Sequence, residues 1–200
     1  MMGAAASSDA RTANLANECW QMLLDLFDFR YTAAVFSFCL SDGRVKIDDT
    51  VVESADLHNY LRRCEKAAFF AATLGAATDR LIMRYSALSI DKAAGLHAAA
   101  TVMLEQHCDR VMSELPGLLG LDPLLPAARF SPGYGDFSLD FQPFIIDILR
   151  ADKKIGIALT EAGMLLPAKS ITAVVGFSFG TGPNSGCSQC PHSQCEFREV

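Results

Sequence analysis

Two hundred residues, half of them hydrophobic and a fifth charged, suit one domain with a substantial core rather than a disordered chain. The net charge of −6 argues against nonspecific nucleic-acid binding and against a polybasic membrane contact. The longest apolar run, residues 67–77, is too short to span a bilayer, and no basic segment leads into an apolar one at the N-terminus, so the expectation is a soluble cytoplasmic protein.

Residues 1–12 are small and polar and read as disordered, with a domain expected over 13–178. Apolar residues at Leu15, Cys19, Trp20, Leu23, Leu24 and Phe27 predict an amphipathic helix over 14–28. Residues 31–40 are aromatic and β-branched, and Ser41-Asp-Gly43 is a hairpin signal into a second strand at 44–47. Ser54 can cap a helix carrying Leu57, Leu61, Cys64 and Ala68 on one face, which Gly75 would interrupt before residues 79–85. Within it, Asp79, Arg80 and Arg84 are spaced for an ion-pair face. Ser89 caps a long helix expected to end near 115, before Pro116, with Leu96, Ala99, Ala100, Met103 and His107 along one stripe.

A connection over 116–128 leads to Arg129-Phe-Ser-Pro-Gly-Tyr-Gly-Asp136. Pro132 fixes its own φ, while Gly133 and Gly135 allow backbone shapes that a side chain would disfavour. Such a loop can turn amides toward a ligand, with the Arg129 guanidinium as a fork for a carboxylate. An ordinary Pro-Gly turn, with Arg129 tying the loop down by an ion pair, fits the same residues. A helix then starts at Ser138 or Asp140, of which Asp140 is preferred because Pro143 then falls where no intrahelical donor is lost. It is expected to reach 152. Strands are expected at 155–159 and 170–177, with a strand or turn at 164–168. The fold class is therefore α+β: a small, mainly antiparallel sheet flanked by helices.

The order of these segments is similar to the activation domain of cobalamin-dependent methionine synthase. The residues that carry the likeness are Arg129-x-x-Pro-Gly-Tyr134, then Leu159-Thr-Glu161, then Pro167-x-x-Ser170 leading into a strand. It extends more loosely back to about Ser54, through Leu74-Gly-Ala-Ala-Thr-Asp-Arg-Leu81. The chain resembles short free-standing relatives of that domain with a cysteine-rich C-terminus. The resemblance implies that Arg129, Ser131, Gly133 and Tyr134 bind S-adenosylmethionine, with Arg129 on the ligand carboxylate and the backbone near Gly133 and Tyr134 on the adenosine. Ser131 stands where the enzyme has Ala. The family's acidic contact on the preceding helix aligns with Thr101, with Glu105 one turn later, and neither takes over the role. The late aromatic contact falls in residues 180–184, which hold none.

The function so implied is reactivation in trans. An accidentally oxidised cob(II)alamin is reduced and then methylated by S-adenosylmethionine, which draws the unfavourable reduction forward. No Asp-x-His-x-x-Gly motif is present, so the cobalamin would be carried by a partner methionine synthase or related corrinoid protein, with a separate electron-donor protein.

Residues 179–200 read as a flexible linker and tail holding Cys187-x-x-Cys190 and Cys195. Three thiolates with His192 would suit zinc, three thiolates around an open iron would suit an iron–sulfur cluster, and the C-x-x-C pair would suit a redox disulfide. A tail without metal fits equally. Two alternative functions follow: a metal- or cluster-bearing redox or interaction module, and a docking scaffold with a degenerate ligand site. Cys19, Cys39, Cys64 and Cys108 read as small buried hydrophobes. His58, His97 and His107 read as helix-surface or core histidines, and Glu161 as a strand-end surface charge. P-loop, G-x-S-x-G and dinucleotide fingerprints are absent.

Overall fold

The structure, a computed structural model, describes residues 3–180, with the backbone alone described for 3–9. Its centre is a four-stranded antiparallel sheet in the order β1 (Arg30–Phe36), β5 (Lys66–Thr73), β9 (Ser170–Ser178), β6 (Leu125–Pro126). A second sheet joins β2 (Phe38–Ser41), β3 (Arg44–Ile47) and β4 (Thr50–Glu53). Asp42 and Gly43, both at positive φ, make the tight turn between β2 and β3. The α+β class with antiparallel sheets and flanking helices is thus borne out.

Strand β5 corrects the reading of its segment as helix. Its odd and even residues face two different cores. Ala67, Phe69 and Ala71 join Val174, Ile145 and Leu149 on one side, whereas Ala68, Phe70 and Ala72 join Val175, Leu96 and Met103 on the other. A strand covered on both faces shows no polar alternation, so its alanines read like a helix face. The helix capped by Ser54, α2, accordingly stops at Leu61 (Ala55–Leu61), and the Ser54 hydroxyl accepts from Leu57 N at 2.9 Å. Cys64 lies beyond it, half-buried, and Cys39 is exposed on β2, so only Cys19 and Cys108 are the buried hydrophobes expected.

Helix α1 spans Gly3–Leu24, beginning before Asn14, and α3 spans Ala76–Leu88. Helix α4 (Ile90–Leu119) is capped by Ser89 as expected, but runs past Pro116 to an αL cap at Gly120. Pro116 gives up its own donor and its ring crowds the carbonyl four residues back, yet one further turn follows it. Helices α1 and α3 both pack on α4. At the α1–α4 crossing, a Cβ on Gly95 would lie 2.8 Å from Cys19 Sγ.

After the Arg129 loop, a 3-10 turn (Leu139–Phe141) leads into α5 (Gln142–Leu149) and α6 (Ala151–Ile155), separated by Arg150 at φ 51. Ser138, rather than Asp140, provides the cap: its hydroxyl accepts from Asp140 N at 3.1 Å. The strand expected over 155–159 shrinks to β7 (Ala158–Leu159), paired with β8 (Leu165–Leu166). Among the described residues no helix is long and apolar enough to cross a membrane.

Candidate functional site

Strand β6 pairs with β9, and the ladder continues through Ala127 N, which donates to Gly176 O at 2.8 Å. It resumes at Phe130, which exchanges both bonds with Val174 at 2.9 and 2.8 Å. Ala128 and Arg129 together therefore oppose Val175, the two-against-one count of a β-bulge. The Tyr60 hydroxyl bridges the gap. It accepts from Gly176 N at 2.8 Å and donates to Ala128 O at 2.7 Å, as an inserted water would. Burial, the largest influence, pushes the Tyr60 phenol well above its ordinary value, so it stays a donor. Its ring stacks on Phe130 at 5.2 Å, and Phe130 stacks on Phe137 at 6.0 Å.

The bulge places Arg129 against α4. One terminal nitrogen donates to Asp109 Oδ1 at 2.8 Å and the other to Glu105 Oε2. The guanidinium side chain is only 13% exposed. Burial alone would lower its pKa, but the Asp109 hydrogen bond and the nearby acidic groups hold it above the ordinary value. Cys108, beside it on α4, is pushed up to about 12 by burial, with Arg129 opposing in part, and stays a neutral thiol.

A cleft of about 370 Å³ opens here, lined by Glu105, Asp109, Met112, Pro126, Ala127, Ala128, Arg129, Ser131, Tyr134 and Ile171. Three of the four expected binding residues, Arg129, Ser131 and Tyr134, thus share one cleft, Tyr134 at its rim with 59% exposure. Gly133 is not on its wall. It turns the chain at φ 95, and its amide donates to Phe137 O at 2.7 Å, while the Tyr134 amide donates to Ser131 O at 3.1 Å. Both amides expected to face a ligand are therefore spent inside the loop. The loop's far end is fixed by Asp136, whose carboxylate receives Ser54 Oγ at 2.5 Å and Ala55 N at 2.7 Å.

Glu105, given no role on sequence, and Asp109, not singled out there, are the residues that meet Arg129. The four-residue spacing of His97, Thr101, Glu105 and Asp109 on α4 puts acceptors in one row, but that the row meets Arg129 shows only in the fold. Further along that row Lys169 Nζ donates to Thr101 Oγ1 at 2.7 Å and meets His97 Nδ1 at 3.0 Å. His107 sits half-buried between Phe27 and Phe29, each ring 5.0 Å away, as a core histidine. Asp79 accepts from Ala168 N at 2.5 Å, and among the described residues no ion pair joins it to Arg80 or Arg84. Among the described residues no group of His, Cys, Asp and Glu is spaced for a metal. Cys187, Cys190, Cys195 and His192 lie outside the described residues.

Sequence comparison finds no matching protein family and no matching curated protein. Structural comparison does find a match: a crystal structure of the MetH reactivation domain bound to AdoHcy, at a TM-score of 0.67 and 17% identity, over 90% of this chain and 67% of that one. The chain shares the fold of the MetH reactivation domain.

Proposed function

We propose that this chain binds S-adenosylmethionine in the Arg129 cleft and serves in trans as the reactivation module of a separate cobalamin-dependent methionine synthase or related corrinoid protein. The observation that carries the reading is the bulge-directed Arg129 at a small-molecule-sized cleft, in a fold whose solved neighbour is a reactivation domain holding AdoHcy. The cleft falls within the range of about 300–1,000 Å³ typical of small-molecule sites, and the guanidinium suits an amino-acid carboxylate. When bound, the ligand and the partner's corrinoid supply the bond-making chemistry. This chain's part is positional. Arg129 holds the carboxylate, Tyr134 closes the rim, and the loop fixes the ligand's reach toward the partner.

One observation favours a second reading, a docking scaffold with no ligand of its own. Both terminal nitrogens of Arg129 already have carboxylate partners. Calorimetric titration of S-adenosylmethionine into anaerobically purified chain separates the two. Micromolar binding that Arg129→Ala abolishes supports the ligand site, and no binding to folded protein supports the scaffold. The role in trans is tested by adding the chain to a methionine synthase that lacks its own reactivation domain and is stalled as cob(II)alamin. Recovery of turnover with S-adenosylmethionine and a reductant is the expected result. Zinc and iron analysis of the same preparation tests a metal- or cluster-bearing redox function for Cys187, Cys190 and Cys195.

A further inference from the structure

The hydrogen-bond register of the main sheet fixes which way each backbone group of β1 points. Phe130 exchanges both bonds with Val174, so the even-numbered residues of β9 turn their amides and carbonyls toward the bulge and the odd-numbered ones toward β5. The register then gives β9 the even-numbered residues of β5, and Leu74 N donates to Lys169 O at 2.9 Å as that pattern requires. The odd-numbered residues of β5 face β1, where their partners are Arg30, Thr32, Ala34 and Phe36. The amides and carbonyls of Tyr31, Ala33 and Val35 therefore point out of the sheet, at the edge opposite the Arg129 cleft. Among the described residues they have no other backbone partner.

Nothing in the strand blunts this edge. Residues 31–38 hold no charge and no proline, the devices that commonly keep a free edge from pairing. Ala33 and Ala34 are partly exposed, whereas Ala67, Ala68, Ala71 and Ala72 on the covered strand β5 are fully buried. Tyr31 and Val35 are exposed, at 38% and 42%, and stand on one face to either side of Ala33. A two-fold axis through Ala33 of an antiparallel pair sets Tyr31 of each copy opposite Val35 of the other, an aromatic against a β-branched side chain. The same axis pairs all the outward amides and carbonyls. It also leaves the one charge on the strand, Arg30, beside its own Asp28 at 3.2 Å. We propose that β1 is the seam of a symmetric dimer of this chain. Two main sheets join edge to edge there, and the two Arg129 clefts lie at the outer edges. The seam does not depend on what the cleft binds. Residues 181–200 are a poorer occupant, because Gly182, Pro183, Gly186 and Pro191 disfavour strand pairing over most of their length. One strand pair is a small interface, so the dimer needs micromolar or higher concentration.

The test is sedimentation equilibrium of the full chain under reducing conditions, from micromolar to near-millimolar concentration. Val35→Lys and Tyr31→Glu are run beside it, each checked for folding by thermal melting. The wild type is expected to dimerise, and each variant to weaken that dimer roughly tenfold or more by charging the edge. Mixed together, the two variants should dimerise again. Only the mixed pair sets the new carboxylate opposite the new ammonium and keeps one native contact between Tyr31 and Val35. Hydrogen exchange on the wild type gives a readout that needs no variant. The amides of Tyr31, Ala33 and Val35 should slow as concentration rises, while those of Thr32 and Ala34, on the side paired with β5, should not change. A chain that stays monomeric across the range overturns the proposal, as does a dimer that a folded Val35→Lys leaves intact. Protection of these three amides in a monomeric chain overturns it too, and assigns the edge to residues 181–200.

Discussion

Asp56 and Asp136 exchange hydrogen bonds across 80 residues of sequence: the backbone amide of each donates to the carboxylate of the other, both at 3.1 Å. Asp136 thus satisfies free donors at the start of α2 in concert with Ser54, and α2 in turn fixes the far end of the Arg129 loop. Partial burial would raise the Asp136 pKa, but the Ser54 hydroxyl and the Asp56 and Ala55 amides outweigh it and hold the carboxyl below its ordinary value. The folded chain then binds the proton more weakly than the unfolded chain. The stabilisation is complete above the unfolded value of about 3.9 and is lost as pH falls through the folded value. Asp136→Asn should cost about 1 kcal/mol at neutral pH, as for a lost helix cap. Urea denaturation between pH 3 and 7 should also show a shallower acid slope for the variant, with the gap to wild type closing at the acid end.

Gly135 carries the close approach that this exchange needs. A Cβ there would lie 2.0 Å from Asp56 Oδ2, at φ 56. Gly135→Ala should cost roughly 2 kcal/mol or more, combining left-handed strain with displacement of Asp56. Gly43→Ala isolates the strain alone, since φ is 76 there and nothing lies within 4 Å. It should cost about 1 kcal/mol. Paired melting curves check the difference, and equal costs would disprove the clash.

The Tyr60 hydroxyl stands in for a missing rung of the ladder between β9 and the bulge. Tyr60→Phe keeps the stacking on Phe130 but leaves Gly176 N and Ala128 O without this partner. The expected loss is about 1–3 kcal/mol. If the hydroxyl also aims Arg129, carboxylate-ligand affinity falls several-fold more than in Gly43→Ala, a distant variant of comparable stability loss. Unchanged affinity would confine Tyr60 to a structural role.

Lys169 is buried, and its hydrogen-bonding partners, Thr101 and His97, are not carboxylates. Burial pushes its pKa down, with Asp79 opposing in part. Here the unfolded chain binds the proton more tightly, so stability rises with pH only between the lowered folded value and the unfolded value of about 10.4, and this contribution is flat below the folded value. Lys169→Met should remove that slope. Wild type minus variant, from urea denaturation at pH 7, 8.5 and 10, should shift in favour of the wild type as pH rises.

Local chemistry made much of this legible. Ser54 and Ser89 caps, the Asp42-Gly43 turn, strand β9 and the Arg129 loop are each written in a few adjacent residues. What escaped depends on partners distant in sequence. Strand β5 is recognisable only once a core covers each face, and the bulge at Ala128 and Arg129 only once Gly176 and Val174 lie opposite. The same holds for the site. Arg129 stands out alone, whereas Glu105 and Asp109 gain meaning only when α4 is laid against the loop. Ser138 is the cap because the 3-10 turn already starts at Leu139, and the Asp140 carboxylate is taken up by the Ser138 hydroxyl.

The α1–α4 crossing has a different kind of consequence. Gly95 and Cys19 meet where a methyl group would not fit beside the sulfur. The two positions therefore share one allotment of volume, and position 95 cannot gain a side chain alone. A lineage that gains a side chain at 95 must first shrink residue 19 or tilt the first helix away. Paired substitution at these two sites, read across relatives, would record how closely that helix has been kept against the domain.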